Sequence, residues 1–361
     1  MLFKKFLVLL LVCAFMAGNV FACTVFKATA KDGSIVSART MEFGYDVQSE
    51  IVIIPRGKEF VSPTPDNKAG LAWKNKYGYV AVDGYGEDVA VFDGLNEAGL
   101  AFSGLWYESD MQWQKIASGD EKRTLAHAYL GAWILGNFST VGELKDAIKT
   151  VKVFGAVVPQ MGMAPPLHFA VYDAKGGSIV VEYDYGMVNV YDNPLGVMTN
   201  APNFPWHLTN LRTYVAMSPE QAKPQDYAGM RVKQMGHGSG MFGLPGDITP
   251  PSRFIKMAVL LKYADEVKDA KGALNLSRHV INNVDIVKGT VVDKDKDGKA
   301  VASETTEWTT FRDLTNRVFY FTTYDNLTMR KVDLKRVDFS REKTLSMSAD
   351  DEVIIDLTER E

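Results

Sequence analysis

The stretch CTVFKATAKDGSIVSARTMEF, residues 23–43, decides how the chain is read. Residues 23–29 alternate as a strand, Lys-Asp-Gly at 31–33 is a turn signal, and 33–39 reads as a second strand. The resulting hairpin returns Arg39 and Glu42 to the neighbourhood of Cys23. A guanidinium beside a thiol favours the thiolate, and a carboxylate is suited to holding an amine in place. A cation, an acid and a cysteine at one end of a hairpin form a catalytic arrangement.

Cys23 matters more because of what precedes it. Lys4 and Lys5 form a positive start, residues 6–17 an apolar run too short to span a bilayer, and Val20 and Ala22 the −3 and −1 positions of a cleavage site. The expectation is a signal peptide over residues 1–22 and a single domain over 23–361, secreted or periplasmic. Of the two cysteines, Cys13 lies in the leader, so the mature chain keeps one, at its first position. One cysteine makes neither an internal disulfide nor a thiolate zinc cluster.

Three readings of Cys23 stand side by side. It is a small buried hydrophobe, a lipidation site in a poor lipobox with bulky Phe21, or an N-terminal nucleophile. In the last case its own α-amine, with an ordinary pKa of about 7.7–8.0, takes the thiol proton.

The remaining composition is globular: 46% hydrophobic, 23% charged, 11% aromatic, formal net charge −4. No basic footprint for nucleic acid is present. Alternation marks further strands at 49–54, 77–82, 88–93, 99–105, 167–173 and 177–183, and strands return from 311 onward. Helical spacing covers 124–137, 141–151, 252–264 and 274–284. Helices flanking runs of strands indicate a layered α+β fold.

Beyond CTVF and ARTMEF, the chain carries FDGLNEAGLAFSGLWY (92–107), VMTNAPNFPWHLTNLRTY (197–214), GLPGDITPPSRFIK (243–256), TTEWTTFRDLTN (305–316) and YFTTYDN (320–326). In this order and spacing the sequence resembles the choloylglycine hydrolase family of N-terminal-nucleophile amidohydrolases, which includes bile salt hydrolases and penicillin V acylases. The resemblance implies a four-layer αββα sandwich and hydrolysis of a linear amide, with a small-molecule N-acyl amide as substrate and no metal or organic cofactor. It also implies a homo-oligomer, a tetramer. Cys23 takes the place of the nucleophile, Arg39 the cation beside it, Asn200 the oxyanion donor and Arg253 a second site arginine. The Trp106 backbone N–H completes the oxyanion hole, and Glu42 stands where the family has Asp. The expected pocket comprises Phe43, Trp106, Tyr107, Trp113 and His207. Asn96 is read as strand-turn structure.

Two features stand apart from that picture. The five histidines, His127, His168, His207, His237 and His279, lie outside cysteine-protease contexts and are read as structural, with His207 near Asn200. DKDKDGKAVASE (293–304) fits a calcium loop through Asp293, Asp295, Asp297 and Glu304, but strand-like flanks make a charged hairpin turn an equal reading. The competing function class is a non-catalytic or lipidated binding protein on the same fold.

Overall fold

The computed structural model describes residues 22–87 and 89–348. The signal peptide expected over residues 1–22 thus lies, except for Ala22, outside the described residues.

Strands β1 (Cys23–Thr29) and β2 (Ile35–Phe43) pair antiparallel with Cys23 opposite Met41 and Val25 opposite Arg39. The connecting turn closes through Ala30 N–H to Ser34 O at 2.8 Å and Ser34 N–H to Asp32 Oδ1 at 2.8 Å. Gly33 sits there at φ +84°, a conformation that side chains with a Cβ rarely adopt.

The hairpin belongs to a six-stranded sheet. Ala300–Asp313 adds to β2, Val318–Thr323 and Asn326–Asp333 follow outward, and Val291–Lys294 pairs with the start of the long strand. An eight-stranded sheet faces it, ordered Met187–Asp192, Ser178–Asp184, Leu167–Asp173, Leu100–Trp106, Asp93–Asn96, Tyr79–Val82, Glu50–Ile54 and Lys343–Ser346.

Helices cover the outer faces. α1 (Leu130–Asn137) and α2 (Val141–Ala147) pack on the eight-stranded sheet, while α4 (Pro250–Tyr263) and α5 (Ala270–Ile281) pack on β1 and β2. Between the segments that feed these layers, α3 (Phe204–Leu211) contacts α4. The result is αββα, as expected.

In α5 the Asp269 side chain caps the start by accepting from Gly272 N–H, Arg278 and His279 complement the helix end, and Ala273, Ser277, Val280 and Ile281 form the buried stripe. One apolar core fills the space between the sheets and under α4 and α5, and a second lies beneath α1 and α2. None of the described helices is long and apolar enough to cross a membrane.

Element boundaries moved for physical reasons. The strand expected at 88–93 is Asp93–Asn96, because Ala90, Val91 and Phe92 spend their apolar side chains lining a cavity. The helix expected from 124 starts at Leu130, since Thr124–Ala126 pairs in parallel with Lys152–Phe154. The second strand runs to Phe43, carrying the ladder past Arg39.

The acidic loop is a hairpin. Asp295 Oδ1 accepts the N–H groups of Asp297 and Lys299 at 3.0 and 2.9 Å, so its carboxylate serves its own turn. Glu304 lies on the long strand opposite Val291 and is buried. Asp293 stands near enough to Glu304 to raise its carboxyl, but no group of three or more residues suited to a metal ion occurs among the described residues.

Candidate active site

Cys23 heads β1 at the edge of its sheet, and the chain near residue 198 closes that edge. Val25 and Met198 exchange two backbone hydrogen bonds, both 2.8 Å, in an antiparallel bridge. Two residues along each chain, that register sets Asn200 against Cys23. The Asn200 Oδ1 accepts Cys23 N–H at 2.7 Å and Arg253 Nη2 at 2.6 Å, while its Nδ2 donates to Trp106 O at 2.8 Å. With oxygen receiving two donors and nitrogen facing a carbonyl, the amide has one consistent orientation. A second Nδ2 hydrogen remains for another acceptor.

Arg39 brings positive charge to the sulfur. Its Nη2 lies 3.8 Å from Cys23 Sγ and donates to Gly104 O at 2.6 Å, and its Nη1 donates to Phe92 O at 2.8 Å. Carbonyls hold the fork without cancelling its charge. Asp93 Oδ1 is 4.0 Å away and is engaged by Arg312, Ser103 and Thr310 through its two oxygens. Trp308 lies under the guanidinium at 4.9 Å.

Burial pushes the Cys23 thiol up. Arg39 opposes that effect, Glu42 adds to it, and the Trp106 backbone N–H and Arg253 pull it back down.

Arg253, fully buried at the first turn of α4, braces the backbone around the thiol. Its Nη1 donates to Cys23 O and Thr24 Oγ1, both at 2.6 Å, and its Nε donates to Ile248 O at 2.9 Å.

The hairpin returns Glu42 to the neighbourhood of Cys23, but on the other face of the strand. Residues alternate sides along a strand, so Glu42 lies on the face opposite Met41 and the thiol. Its Oε1 accepts from Thr306 Oγ1 at 3.2 Å, and Asn200, not Glu42, meets the Cys23 nitrogen. Burial raises its carboxyl to about 7, against the pull of Arg253 and of the Thr40 and Thr306 hydroxyls. Glu304, on the same strand as Thr306, is raised to about 8 by burial and then by Glu42. The Glu42 backbone N–H donates to Ala22 O at 3.0 Å, and Ala22 is itself buried.

An apolar cavity of about 780 Å³ of non-atom space, its open mouth included, extends from Cys23 and Arg39. Met41, Phe43, Phe92, Phe102, Trp106 and Phe169 form much of its wall, with Tyr85 and His127 as the other polar contributors. Phe43 and Trp106 therefore line it as expected. Tyr107, Trp113 and His207 stand behind it instead. Tyr107 bonds Asp184 at 2.7 Å, Trp113 bonds Pro165 O at 3.3 Å, and His207 Nε2 donates to Asn200 O at 2.9 Å. Burial holds His207 at about 4, hence neutral with its proton on Nε2.

Met41, whose Sδ is 3.9 Å from Cys23 Sγ, escaped the sequence reading. The period of two from Arg39 would have found it.

Two facing sheets between helical layers, with the first strand's cysteine lining an internal cavity, define an N-terminal-nucleophile hydrolase fold. The model of "Linear amide C-N hydrolases, choloylglycine hydrolase family" matches residues 23–352, and the chain belongs to that family. It is a hydrolase of linear amide C–N bonds.

A bile salt hydrolase/transferase of Clostridium perfringens is 32% identical over 320 residues, covering 87% of this chain and 93% of the relative. A penicillin V acylase of Pectobacterium atrosepticum is 26% identical over 84% of this chain and 78% of its own. The crystal structure of a variant of conjugated bile acid hydrolase from Clostridium perfringens superposes with TM-score 0.80 at 28% identity, covering 93% of this chain and 100% of that one. Penicillin V acylase from Agrobacterium tumefaciens superposes at 0.72 and 25% identity, over 91% and 92% of the two chains.

Proposed function

We propose that the protein is an exported cysteine amidase whose leader is removed after Ala22, freeing the α-amine of Cys23. The observation that carries this reading is the convergence of the Cys23 nitrogen and sulfur, Asn200 and Arg39 beside an apolar cavity that Cys23 and Arg39 line.

The α-amine takes the thiol proton and the thiolate attacks the amide carbonyl carbon. The uncommitted Nδ2 hydrogen of Asn200 and the Trp106 N–H receive the charge on oxygen; one such donor is worth about 2.7–4 kcal/mol in the transition state. The carbon–nitrogen bond then breaks, the α-ammonium protonates the departing amine, and an acyl thioester remains on Sγ. Water, deprotonated by the same amine, hydrolyses the thioester and restores the thiol.

The acyl group occupies the cavity. Its aromatic and methionine walls suit an apolar acyl group, and its one cation, Arg39, is already engaged by carbonyls. Penicillin V, conjugated bile salts and N-acyl homoserine lactones are the substrates to compare.

We also propose a homo-oligomer. Tyr227, Met230, Met235 and Phe242, exposed on one stretch of surface chain, supply apolar area for a second copy.

Intact mass of the exported protein and turnover of the three amide classes test the reading. It requires a chain beginning at Cys23 with a free amine and hydrolysis of at least one class. A diacylglyceryl-modified or blocked cysteine without turnover establishes the lipidated binding protein instead. Light scattering reports the assembly, and a monomer at micromolar concentration rejects it.

A further inference from the structure

His168, fully buried in the strand Leu167–Asp173, faces an oxygen with each ring nitrogen. Nε2 lies 2.8 Å from Thr199 O and Nδ1 lies 3.2 Å from Glu182 Oε1. A carbonyl only accepts, so Nε2 carries a hydrogen. The second contact also needs one, because two lone pairs facing each other in a dry interior repel. That hydrogen sits either on Nδ1, giving an imidazolium against a carboxylate, or on Oε1, giving an acid against a neutral ring. Both forms leave the pair with no net charge, the condition that burial favours.

Glu182 is itself anchored: its Oε1 also accepts the N–H of Phe204, the first residue of α3, at 2.9 Å. The imidazole stacks on Tyr107 with 4.6 Å between centroids and 3° between planes.

These contacts reach both sides of the reaction site. Thr199 immediately precedes Asn200, and Tyr107 immediately follows Trp106. One ring therefore holds the backbone that carries the Asn200 amide and packs on the residue adjoining the Trp106 N–H. Neither His168 nor Glu182 lines the cavity or takes part in the chemical steps described above. Donors to a developing oxyanion act only within tenths of an ångström of their productive position, which is the work such a support performs.

We infer that His168 and Glu182 form a positioning pair for the oxyanion hole, fixing Asn200 through the Thr199 carbonyl and Trp106 through the Tyr107 ring. This rests on the amidase reading above.

The test uses an activity that needs the thiolate but no oxyanion. Iodoacetamide alkylates Cys23 by displacing iodide at carbon, with no charge built on a carbonyl oxygen. Glu182→Gln keeps the size of the side chain and removes the acid, and His168→Gln keeps a donor for Thr199 O but loses the stacked ring.

Each variant is measured for kcat and KM on the amide the wild type turns over, and for alkylation rate at equal pH. Misplacement of about 1 Å costs on the order of 10²-fold, so kcat is expected to fall by roughly 10–100-fold. KM should change by less than about threefold and alkylation hardly at all. His168→Leu, which also lacks the donor, should fall below His168→Gln.

Equal losses of turnover and alkylation mean a merely structural role and overturn the inference, as does unchanged kcat. If Glu182→Gln does not fold, the two His168 variants carry the comparison. Absence of wild-type turnover defeats the amidase reading itself. Wild-type turnover with Asn200→Ala impaired and both pair variants intact defeats only this inference.

Discussion

On one face of the β1–β2 hairpin, Cys23, Arg39 and Met41 point toward an apolar cavity. On the other, Thr24, Thr40 and Glu42 point toward α4, where Arg253 ties Thr24 Oγ1 to Asn200. The same two strands supply both sets, one residue apart. The cavity face keeps a cation beside the sulfur and leaves space for a ligand. The reverse face gathers two raised carboxyls, Glu42 and Glu304, around one arginine and fills its space. Reactivity thus lies where charge meets a void, and support lies where charge meets charge.

The largest effect should come from the cavity face. Cys23→Ala is expected to lower amide turnover by on the order of 10⁴-fold or more while leaving the fold intact. Cys23→Ser should be severely impaired, because a hydroxyl ionises far less readily than a thiol. Steady-state kinetics with circular dichroism checks both, and an active alanine variant would move the chemistry to the reverse face.

Asn200 joins the faces, accepting from Arg253 and Cys23 and donating to Trp106. Its replacement by Ala is expected to reduce kcat by roughly 10²–10³-fold with a smaller change in KM. A variant defective only in KM would reassign Asn200 to substrate binding.

The reverse face should show itself in stability against pH. Burial raises Glu42 from 4.5 to about 7 and Glu304 from 4.5 to about 8. The folded state then holds these protons more tightly than the unfolded chain does. Their contribution is complete below pH 4.5 and is lost as pH rises through 7 and 8. Thermal melts of Glu304→Gln should therefore gain on the wild type as pH goes from 5 to 9, by on the order of 1–2 kcal/mol. A pH-independent difference would show that Glu304 stays ionised throughout. Glu42→Gln sharpens the contrast: a lost limb near pH 7 in its rate profile would mean that the reverse-face carboxyl reaches the reaction.

The smallest effect lies furthest from both faces. Millimolar calcium should leave the melting temperature within about 1 °C, since a bound cation would stabilise by mass action. A saturable rise, abolished by Asp297→Ala, would restore the calcium reading of 293–304.

How much of this was legible beforehand depends on the range of each interaction. The hairpin was legible because its alternation and turn are local, as were the helix around Arg253 and the strands expected at 167–173 and 177–183. Glu42 was harder. Its position beside Cys23 in the register is local information, but its partner Thr306 comes from 264 residues away. Tyr107, Trp113 and His207 were assigned to the pocket through the family resemblance, yet each turned behind it to satisfy a polar tip. The acidic loop matched a ligand spacing that also suits a hairpin, and the inward burial of Glu304 separated the two readings.

By itself, the sequence determined that the chain is layered α+β, that residues 23–361 carry one cysteine, and that Arg39 and Cys23 share a hairpin. Those properties follow from residue type, period and short spacing. Only the tertiary structure decided what each face of the hairpin meets, which aromatic residues wall the cavity, and that Asn200 meets the Cys23 nitrogen. Such contacts join segments as much as 264 residues apart. Their geometry is fixed by sheet registers and helix packing, which no local pattern encodes.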